Sequence, residues 1–403
     1  MNFNILALAI PLFLLFIGLE YLITKRKGKE YFHFENTIAN LNVGIAERLI
    51  DSLTVGFFYF IYVYLYQNFA IFNITPNIWI WIALLLCTDF VWYWYHRLGH
   101  EVNLFWAVHI VHHQSEDFNY SVSARITIFQ ALLRTIFWAI LPIIGFTPGM
   151  ITTILLIHGL YPFFTHTQLV GKLGILEYIF ITPSHHRVHH ACNEQYLDKN
   201  YGDMFIFWDK LFGTFIEEDE KPIYGLTKPL DSHSFAWQHF HYMLEIGYAV
   251  SHTEGFINKL KIVFGRPDTV NPNIRKVLEK RFLSPNKIKT QSKRFRYYVI
   301  GQMVFTLTLL FFVLFFEEDL SIFLTAVTSS FILITVINCG AILERKGWVF
   351  HLEYIRAFLL VATALHFFPN PTLLFIFFIL VGAVILRFSN IQRQYLELIY
   401  GKA

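Results

Sequence analysis

The chain has 403 residues, of which 55% are hydrophobic and 15% charged, and its mean hydropathy is +0.46. A soluble domain carries roughly 25% charged residues, so the composition excludes a soluble globular protein and, with 18% aromatics, a disordered one. A net charge of +3 offers no basic field for nucleic acid, and three scattered cysteines (Cys87, Cys192, Cys339) make neither a disulfide framework nor a zinc ribbon.

The expected class is an all-α, polytopic transmembrane helical bundle. Residues 3–24 form an apolar run that ends at Lys25, Arg26, Lys27 and Lys29. A secretory signal places its charges before the apolar stretch, so this run is expected to stay as a first span. An amphipathic stretch at 37–48 follows, then apolar runs at about 49–72, 78–96, 128–146 and 149–166. The last two are joined by Pro142, Gly145, Pro148 and Gly149 and are expected to form a tight helical hairpin. Four more runs lie near 298–316, 320–342, 350–368 and 372–387. Each run approaches the ~20 residues that cross a ~30 Å hydrocarbon layer. The last four carry few polar side chains and are expected to form an added C-terminal four-helix membrane unit.

Four segments are therefore expected. They are N-terminal transmembrane and interfacial helices (1–78), a core (79–217), a cytoplasmic or interfacial segment (218–297) and the C-terminal helices (298–403). The third holds His233, His239, His241 and His252 in an aromatic-rich stretch and reads as a helix lying on the bilayer. Lys and Arg gather on the cytoplasmic side of membrane helices. With Lys25–Lys29 inside, the alternate turns Asn73–Asn77, Pro142–Gly149, Glu317–Asp319 and Pro369–Pro371 fall outside, and none contains Lys or Arg. The N-terminus is expected outside and the C-terminus inside.

Histidine is the unusual residue. Eleven of the eighteen His lie between His96 and His190. His96 and His100 form HxxxH; His109, His112 and His113 form HxxHH; His186, His189 and His190 form HxxHH again. Residues three and four apart share a helix face, so each motif projects at least two imidazoles to one side. The expected topology delivers all three motifs to the cytoplasmic end of the membrane. Eight imidazoles exceed the four that one zinc takes, which argues for two metal ions. Imidazole suits zinc, copper, iron and nickel alike, so the ligands alone do not choose.

These residues resemble the membrane fatty acid hydroxylase/sterol desaturase superfamily, whose three histidine boxes have this order and spacing, over about residues 80 to 217. The closer resemblance is to the alkylglycerol monooxygenases. It rests on Tyr93-Trp94-Tyr95-His96-Arg97, on Ser115 to Tyr120, on Thr182 to His190, and on Asp198-Lys199-Asn200-Tyr201 followed by Trp208 to Phe215. The resemblance implies two non-haem irons (Fe), O2 as oxidant and a lipid substrate. The metal ligands it implies are His96, His100, His109, His112, His113, His186, His189 and His190. His166 falls where the family places an additional His. Tetrahydrobiopterin is the implied reductant; the sequence has no flavin or nicotinamide fingerprint, so an external electron donor is expected. The reaction implied is hydroxylation of a lipid C–H bond, by the closer resemblance that of an alkylglycerol ether lipid. A sterol or fatty acid hydroxylase or desaturase is the alternative within the superfamily. A metal transporter is the rival from another class, disfavoured because the boxes sit at one membrane edge rather than at the midplane.

Asp89 lies two turns before His96 on the same face and is expected to hydrogen-bond an imidazole N–H, the alternative being a helix–helix hydrogen bond. His158 reads as an interhelical hydrogen bond, and His185 as a neighbour of the metal ligands. Glu116 and Asp117 are candidates to hold the second box or contact a cofactor; a solvated turn with Asp117 as a helix cap is the alternative. Glu101 follows His100, but no HExxH is present. Trp208–Phe215 reads as a structural lid under the metal site, and His351 and His366 as distant from it.

Overall fold

A computed structural model describes residues 4–283 and 293–401. Among the described residues the chain is helical, with no β-strand and only two isolated bridges, Phe180 with Phe205 and Ala191 with Tyr224. Among the described residues, eight helices are long and apolar enough to cross a membrane. The chain divides into two compact units, one formed by residues 13–231 and 236–283, the other by 4–12, 232–235 and 293–401.

The larger unit carries the histidine motifs. It contains most of α1 (Ala9–Arg26), then α2 (Phe34–Phe69), α3 (Ile78–Glu101), α4 (Asn103–His113) and the single turn α5 (Tyr120–Ser123). There follow α6 (Gln130–Trp138), α7 (Ile140–Ile144), α8 (Pro148–Thr165), α9 (Pro183–His189) and α10 (Phe207–Phe212). Helices α11 (Phe235–Ser251), α12 (Phe256–Phe264) and α13 (Asn273–Phe282) complete the run up to residue 283.

Helix α2 joins the amphipathic stretch and the next span into one 36-residue helix. No proline interrupts it. Its first half buries Asn40, Asn42, Glu47 and Asp51 among other protein groups, while Phe57, Phe60 and Tyr64 on its second half are exposed, as suits lipid. Helix α3 begins where Asn77 accepts hydrogen bonds from the Trp79 and Ile80 backbone N–H groups, satisfying free donors of its first turn.

The run expected as one span at 128–146 is instead two short helices, α6 and α7. The cause is Pro142: a proline has no N–H for the carbonyl four residues back, and its ring clashes there. That carbonyl belongs to Trp138, the last residue of α6. The broken segment still reaches the far end of α2, because the Ile71 and Phe72 N–H groups donate to the carbonyls of Ile143 and Ile144 at 2.8 and 3.1 Å. Gly145 then turns the chain into α8 at φ +125°. A core of Tyr62, Leu84, Tyr95, Trp138, Leu141 and Ile151 binds these helices together.

Helices α11 to α13 pack on α2 and α4 rather than standing apart from them: Trp237, Tyr242, Ile246 and Ile274 share a core with Val43, Ala107, Ile110 and Val111. His239 and His241 are buried there, and burial pulls His241 down to about 3.

The second unit contains α14 (Lys293–Phe315), α15 (Ile322–Leu343), α16 (Val349–Phe367) and α17 (Pro371–Tyr400). Helix α17 runs past the expected end at 387 and bends at Arg387, whose φ/ψ of −124°/22° is not helical.

Candidate metal centre

Each imidazole is delivered by a short piece of local structure. His96 and His100 sit one turn apart at the end of α3. Val102, in extended backbone, reverses the chain into α4, and the Asn103 side chain fixes that corner by donating to the carbonyls of Ile262 and Arg266 at 2.7 and 3.1 Å. Helix α4 then carries His109, His112 and His113 back past α3. Gly99 lies at the crossing, where a Cβ would make ordinary contact, 3.5 Å, with the His109 side chain. His166 is the residue that caps α8. Helix α9 starts at Pro183, whose missing N–H costs nothing in a first turn, and holds His186 and His189, with His190 at its end.

All nine candidate ligands come together, in two groups. One comprises His96, His100, His109, His113 and His189; the other comprises His112, His166, His186 and His190. Within each group the ligand nitrogens lie within 4.8 Å of one another. The Nε2 atoms of His96 and His109 are 3.0 Å apart, those of His109 and His113 3.1 Å, those of His166 and His186 3.0 Å, and those of His112 and His166 3.3 Å.

The proton positions follow from the other ring nitrogens. A carbonyl only accepts, so a ring nitrogen at hydrogen-bond distance from one must carry the proton. His96 Nδ1 donates to the Tyr201 carbonyl at 2.7 Å, His112 Nδ1 to Arg125 at 3.1 Å, His166 Nδ1 to Pro162 at 2.6 Å and His189 Nδ1 to Lys199 at 3.0 Å. In a neutral ring the Nε2 of each is then a bare lone pair. His112 and His166 therefore face each other lone pair to lone pair, an arrangement that repels unless a cation lies between. Buried Nε2 atoms of His100, His189 and His190 have no hydrogen-bond partner at all. Charging the rings instead is opposed by burial, which pulls His112 down to about 4 and His189 to about 3 and lowers His109, His113, His166, His186 and His190 as well. Neutral, inward-facing imidazoles with fixed tautomers are what a divalent metal requires, and the residues present fit such ions.

A second layer of contacts sets the carbonyls. Asp209 accepts from the Tyr201 and Gly202 N–H groups at 2.7 and 2.8 Å and from Thr214 Oγ1 at 2.7 Å, so Trp208–Phe215 brackets the loop that presents the Tyr201 carbonyl to His96. Asp89 is fully buried and its two oxygens take four donors: His158 Nε2 (2.8 Å), the Met204 and Phe205 N–H groups (3.0 and 3.2 Å) and Trp208 Nε1 (3.0 Å). The imidazole it binds is thus His158, not His96, and its reach to the metal ligands runs through the 201–205 loop. His158 also faces Asp203 through Nδ1 at 3.0 Å. With every Asp89 oxygen occupied by N–H donors, this third cluster reads as an anchor for the loop.

Asp117 is buried and accepts from the His33 N–H (2.8 Å) and lies 2.5 Å from His33 Nδ1, tying the entry of α2 to the segment after the second box. The cap of α5 is Asn119, whose side chain accepts from Ser121 N–H. Glu116 is exposed and lies against Gly225. Neither carboxylate belongs to an imidazole group. His185 accepts from the Thr182 N–H at 3.3 Å and steadies the start of α9. Glu101 pairs with Arg97 at 3.1 Å.

Five participants were given no role by the sequence alone. Glu20, a lone carboxylate within the first apolar run, is buried and accepts from Tyr120 N–H at 2.7 Å and from the Thr167 hydroxyl, next to His166. An ionisable residue inside an apolar run was the available signal. Arg125 is buried with no carboxylate beside it; it donates to Val111 O (2.6 Å), Asn40 Oδ1 (3.1 Å) and Gln114 Oε1 (2.5 Å), and its own carbonyl orients His112. Arg187 clamps the His166 loop to α9, gripping Glu218 with two bonds and the Thr167 and Val170 carbonyls with a third nitrogen. Phe118, fully buried, stacks on His166 at 5.5 Å, and Trp106 covers His100 at 5.0 Å.

A sequence profile described as fatty acid hydroxylase matches residues 81–214, the segment that supplies all nine candidate ligands. The chain is 37% identical to a human protein named alkylglycerol monooxygenase over 262 residues, 64% of this chain and 58% of that protein's length. It is 32% identical to the Xenopus tropicalis protein of that name over 86% of this chain and 79% of the other. An ornithine lipid hydroxylase of Rhizobium tropici is 30% identical over 32% of this chain and 40% of its own. No solved structure matches.

Proposed function

The chain belongs to the fatty acid hydroxylase family, with relatives named alkylglycerol monooxygenase, and on that footing we propose that it is a membrane-bound monooxygenase that hydroxylates the ether-adjacent carbon of an alkylglycerol. The observation that carries the reading is the pair of buried imidazole groups, in one of which His112 and His166 face each other lone pair to lone pair. His96, His100, His109, His113 and His189 would hold one iron; His112, His166, His186 and His190 would hold the other. A bound pair of ferrous ions supplies reduction of O2 and oxidation of an unactivated C–H bond, chemistry that no side chain provides.

The protein's own part is positioning and exclusion of water. The Tyr201, Arg125, Pro162 and Lys199 carbonyls keep four rings in the tautomer that turns Nε2 inward. Asp209 and Asp89 fix the loop that carries the first of these carbonyls. Phe118 and Trp106 wall the site with apolar rings. Hydroxylation of the ether-adjacent carbon consumes O2, two electrons and two protons and releases water. The resulting hemiacetal breaks its C–O bond to give an aldehyde and glycerol. The chain has no flavin or nicotinamide fingerprint, so an external donor, tetrahydrobiopterin or another reductant, supplies the electrons. In this reading the centre lies at the cytoplasmic side, supported by the absence of Lys and Arg from the opposite turns. A cysteine introduced at Thr75, exposed in the first of those turns, should be labelled only from the outer face, and labelling from inside would reverse the orientation.

The test is turnover by purified protein supplied with O2, tetrahydrobiopterin and, separately, an alkylglycerol, a sterol and a fatty acyl lipid. A long-chain aldehyde from the alkylglycerol alone is expected. A hydroxylated sterol or acyl chain without aldehyde would move the protein to another substrate within the family. Metal uptake into vesicles without O2 consumption would make it a transporter.

A further inference from the structure

Between α8 and α9 the chain doubles back onto the spanning helices. Residues 178–181 run beside 204–206: the Ile181 N–H donates to the Met204 carbonyl at 2.9 Å and the Ile206 N–H to that of Ile179 at 3.0 Å. The depth of this pair is set by α3 and α8. The Met204 and Phe205 N–H groups and Trp208 Nε1 all donate to Asp89, the twelfth of the 24 residues of α3. At ~1.5 Å per residue Asp89 lies about 16 Å from the start of that helix, midway through a ~30 Å hydrocarbon layer. Helix α10 continues along α3, with the Trp208 ring 4.9 Å from that of Phe90 and Phe212 stacked on Tyr93 at 5.1 Å. On the other flank Tyr161 of α8 donates to the Ile181 carbonyl at 2.5 Å.

The outer side of this pair is apolar. Ile175 is 79% exposed, Tyr178 73% and Leu211 67%, and Leu176 and Ile179 are exposed as well. A patch of this kind marks an interaction surface. It continues the lipid-facing sides of the spans, where Phe90 and Leu160, the chain neighbours of Asp89 and Tyr161, are also exposed. The charged groups nearby are engaged. Lys210 lies over the rings of Tyr178 and Phe215 at 5.3 and 5.1 Å, and its Nζ donates to the Tyr178 carbonyl at 3.3 Å. Such a stem covers apolar surface while its head reaches toward water. Glu177 accepts from the Leu173 N–H and the Thr182 hydroxyl. Non-helical backbone survives at membrane depth only where its polar groups are answered within the protein. The carbonyls of Leu176, Tyr178, Ile179 and Ile181 all are.

We propose that residues 173–181 and α10 form a re-entrant lip seated in the leaflet on the histidine side of the membrane, with acyl chains of that leaflet covering Ile175, Leu176, Tyr178, Ile179 and Leu211. One strand of the lip leads into α9, which carries His186 and His189, and the other follows the loop whose Tyr201 carbonyl orients His96. The bilayer thus supports two of the segments that present metal ligands. The lip's placement rests on the spanning helices and not on the reaction proposed above.

The experiment uses the full-length protein in phosphatidylcholine nanodiscs, with Cys87, Cys192 and Cys339 replaced by alanine and a nitroxide on one introduced cysteine. Ile175→Cys and Leu211→Cys probe the lip. Phe60→Cys, on the exposed half of α2, marks lipid, and Thr75→Cys, in an exposed turn, marks water. Collisions with O2, which enters hydrocarbon, are compared with those of a polar nickel chelate, which hydrocarbon excludes. Both lip labels should follow Phe60, with an O2-to-nickel collision ratio about tenfold above that at Thr75. A ratio equal to that at Thr75 overturns the proposal by putting the lip in water. Shielding from both reagents, with dipolar broadening between labels, overturns it in favour of a second copy of the chain on the patch. A second reading keeps the native cysteines: benzoylphenylalanine in place of Tyr178 should, on irradiation, add the mass of one phosphatidylcholine. A chain-to-chain crosslink, or no lipid adduct, would count against the lip.

Discussion

A neutral imidazole that spends its Nδ1 proton on a carbonyl has one lone pair left, and at the histidine centre those of His112 and His166 are aimed at each other. Burial makes the arrangement sensitive to acid. His112 and His189 are pulled to about 4 and about 3, below the ~6.5 of an unfolded chain. A group whose folded pKa is depressed contributes stability that is complete above the unfolded value and lost as the pH falls toward the folded one. The metal-free protein should therefore melt at a constant temperature above about pH 7 and at falling temperatures from about pH 6.5 toward pH 4. Melting that rises on acidification would contradict the neutral assignment. Asp89 acts at one remove: it holds the Met204 and Phe205 N–H groups and, through the loop before them, the Tyr201 carbonyl that orients His96. Asp89→Asn loses the charge opposite His158 and should lower metal affinity or turnover by about 10–100-fold, the usual effect of removing such support, with helicity preserved. Unchanged metal content and turnover would restrict Asp89 to packing.

Elements were legible where one physical rule dominated. The spans of α3, α8 and the four C-terminal helices follow from apolar length, and the clustering of histidine was visible as spacing alone. Breaks and contacts were less so. Pro142 reads from the sequence as part of a turn, but its effect falls four residues earlier, at Trp138, where it ends α6 and makes two short helices of one expected span. The start of α2 looks like a separate interfacial piece because its polar residues, such as Asn40 and Asp51, are answered by partners distant in sequence, Ser121 and Arg134. The same holds for Asp89, whose face was predictable but whose partner, His158, arrives from another helix. The turn after α7 gives a sharp test of local geometry. Gly145 sits at φ +125°, and a Cβ there would come within 2.0 Å of the Phe72 carbonyl oxygen. Gly145→Ala should cost roughly 1–3 kcal/mol or more, read as a lower melting temperature of the purified protein. An unshifted melt would mean the turn relaxes freely.

At the scale of the molecule, the membrane helices bring remote stretches of chain to one place. Residues 96 to 113, 166 and 186 to 190 are separated by long runs of sequence, and α3, α4, α8 and α9 end or pass where their imidazoles meet. The division of nine rings into five and four makes a numerical statement about metal. Protein purified without oxygen and loaded with ferrous iron should bind two ions per chain, and His112→Ala, which strips one ring from the four-membered group, should hold about one. Quantifying iron per chain in both proteins tests the account most directly. A stoichiometry of one in the unaltered protein, or two retained in His112→Ala, would contradict it.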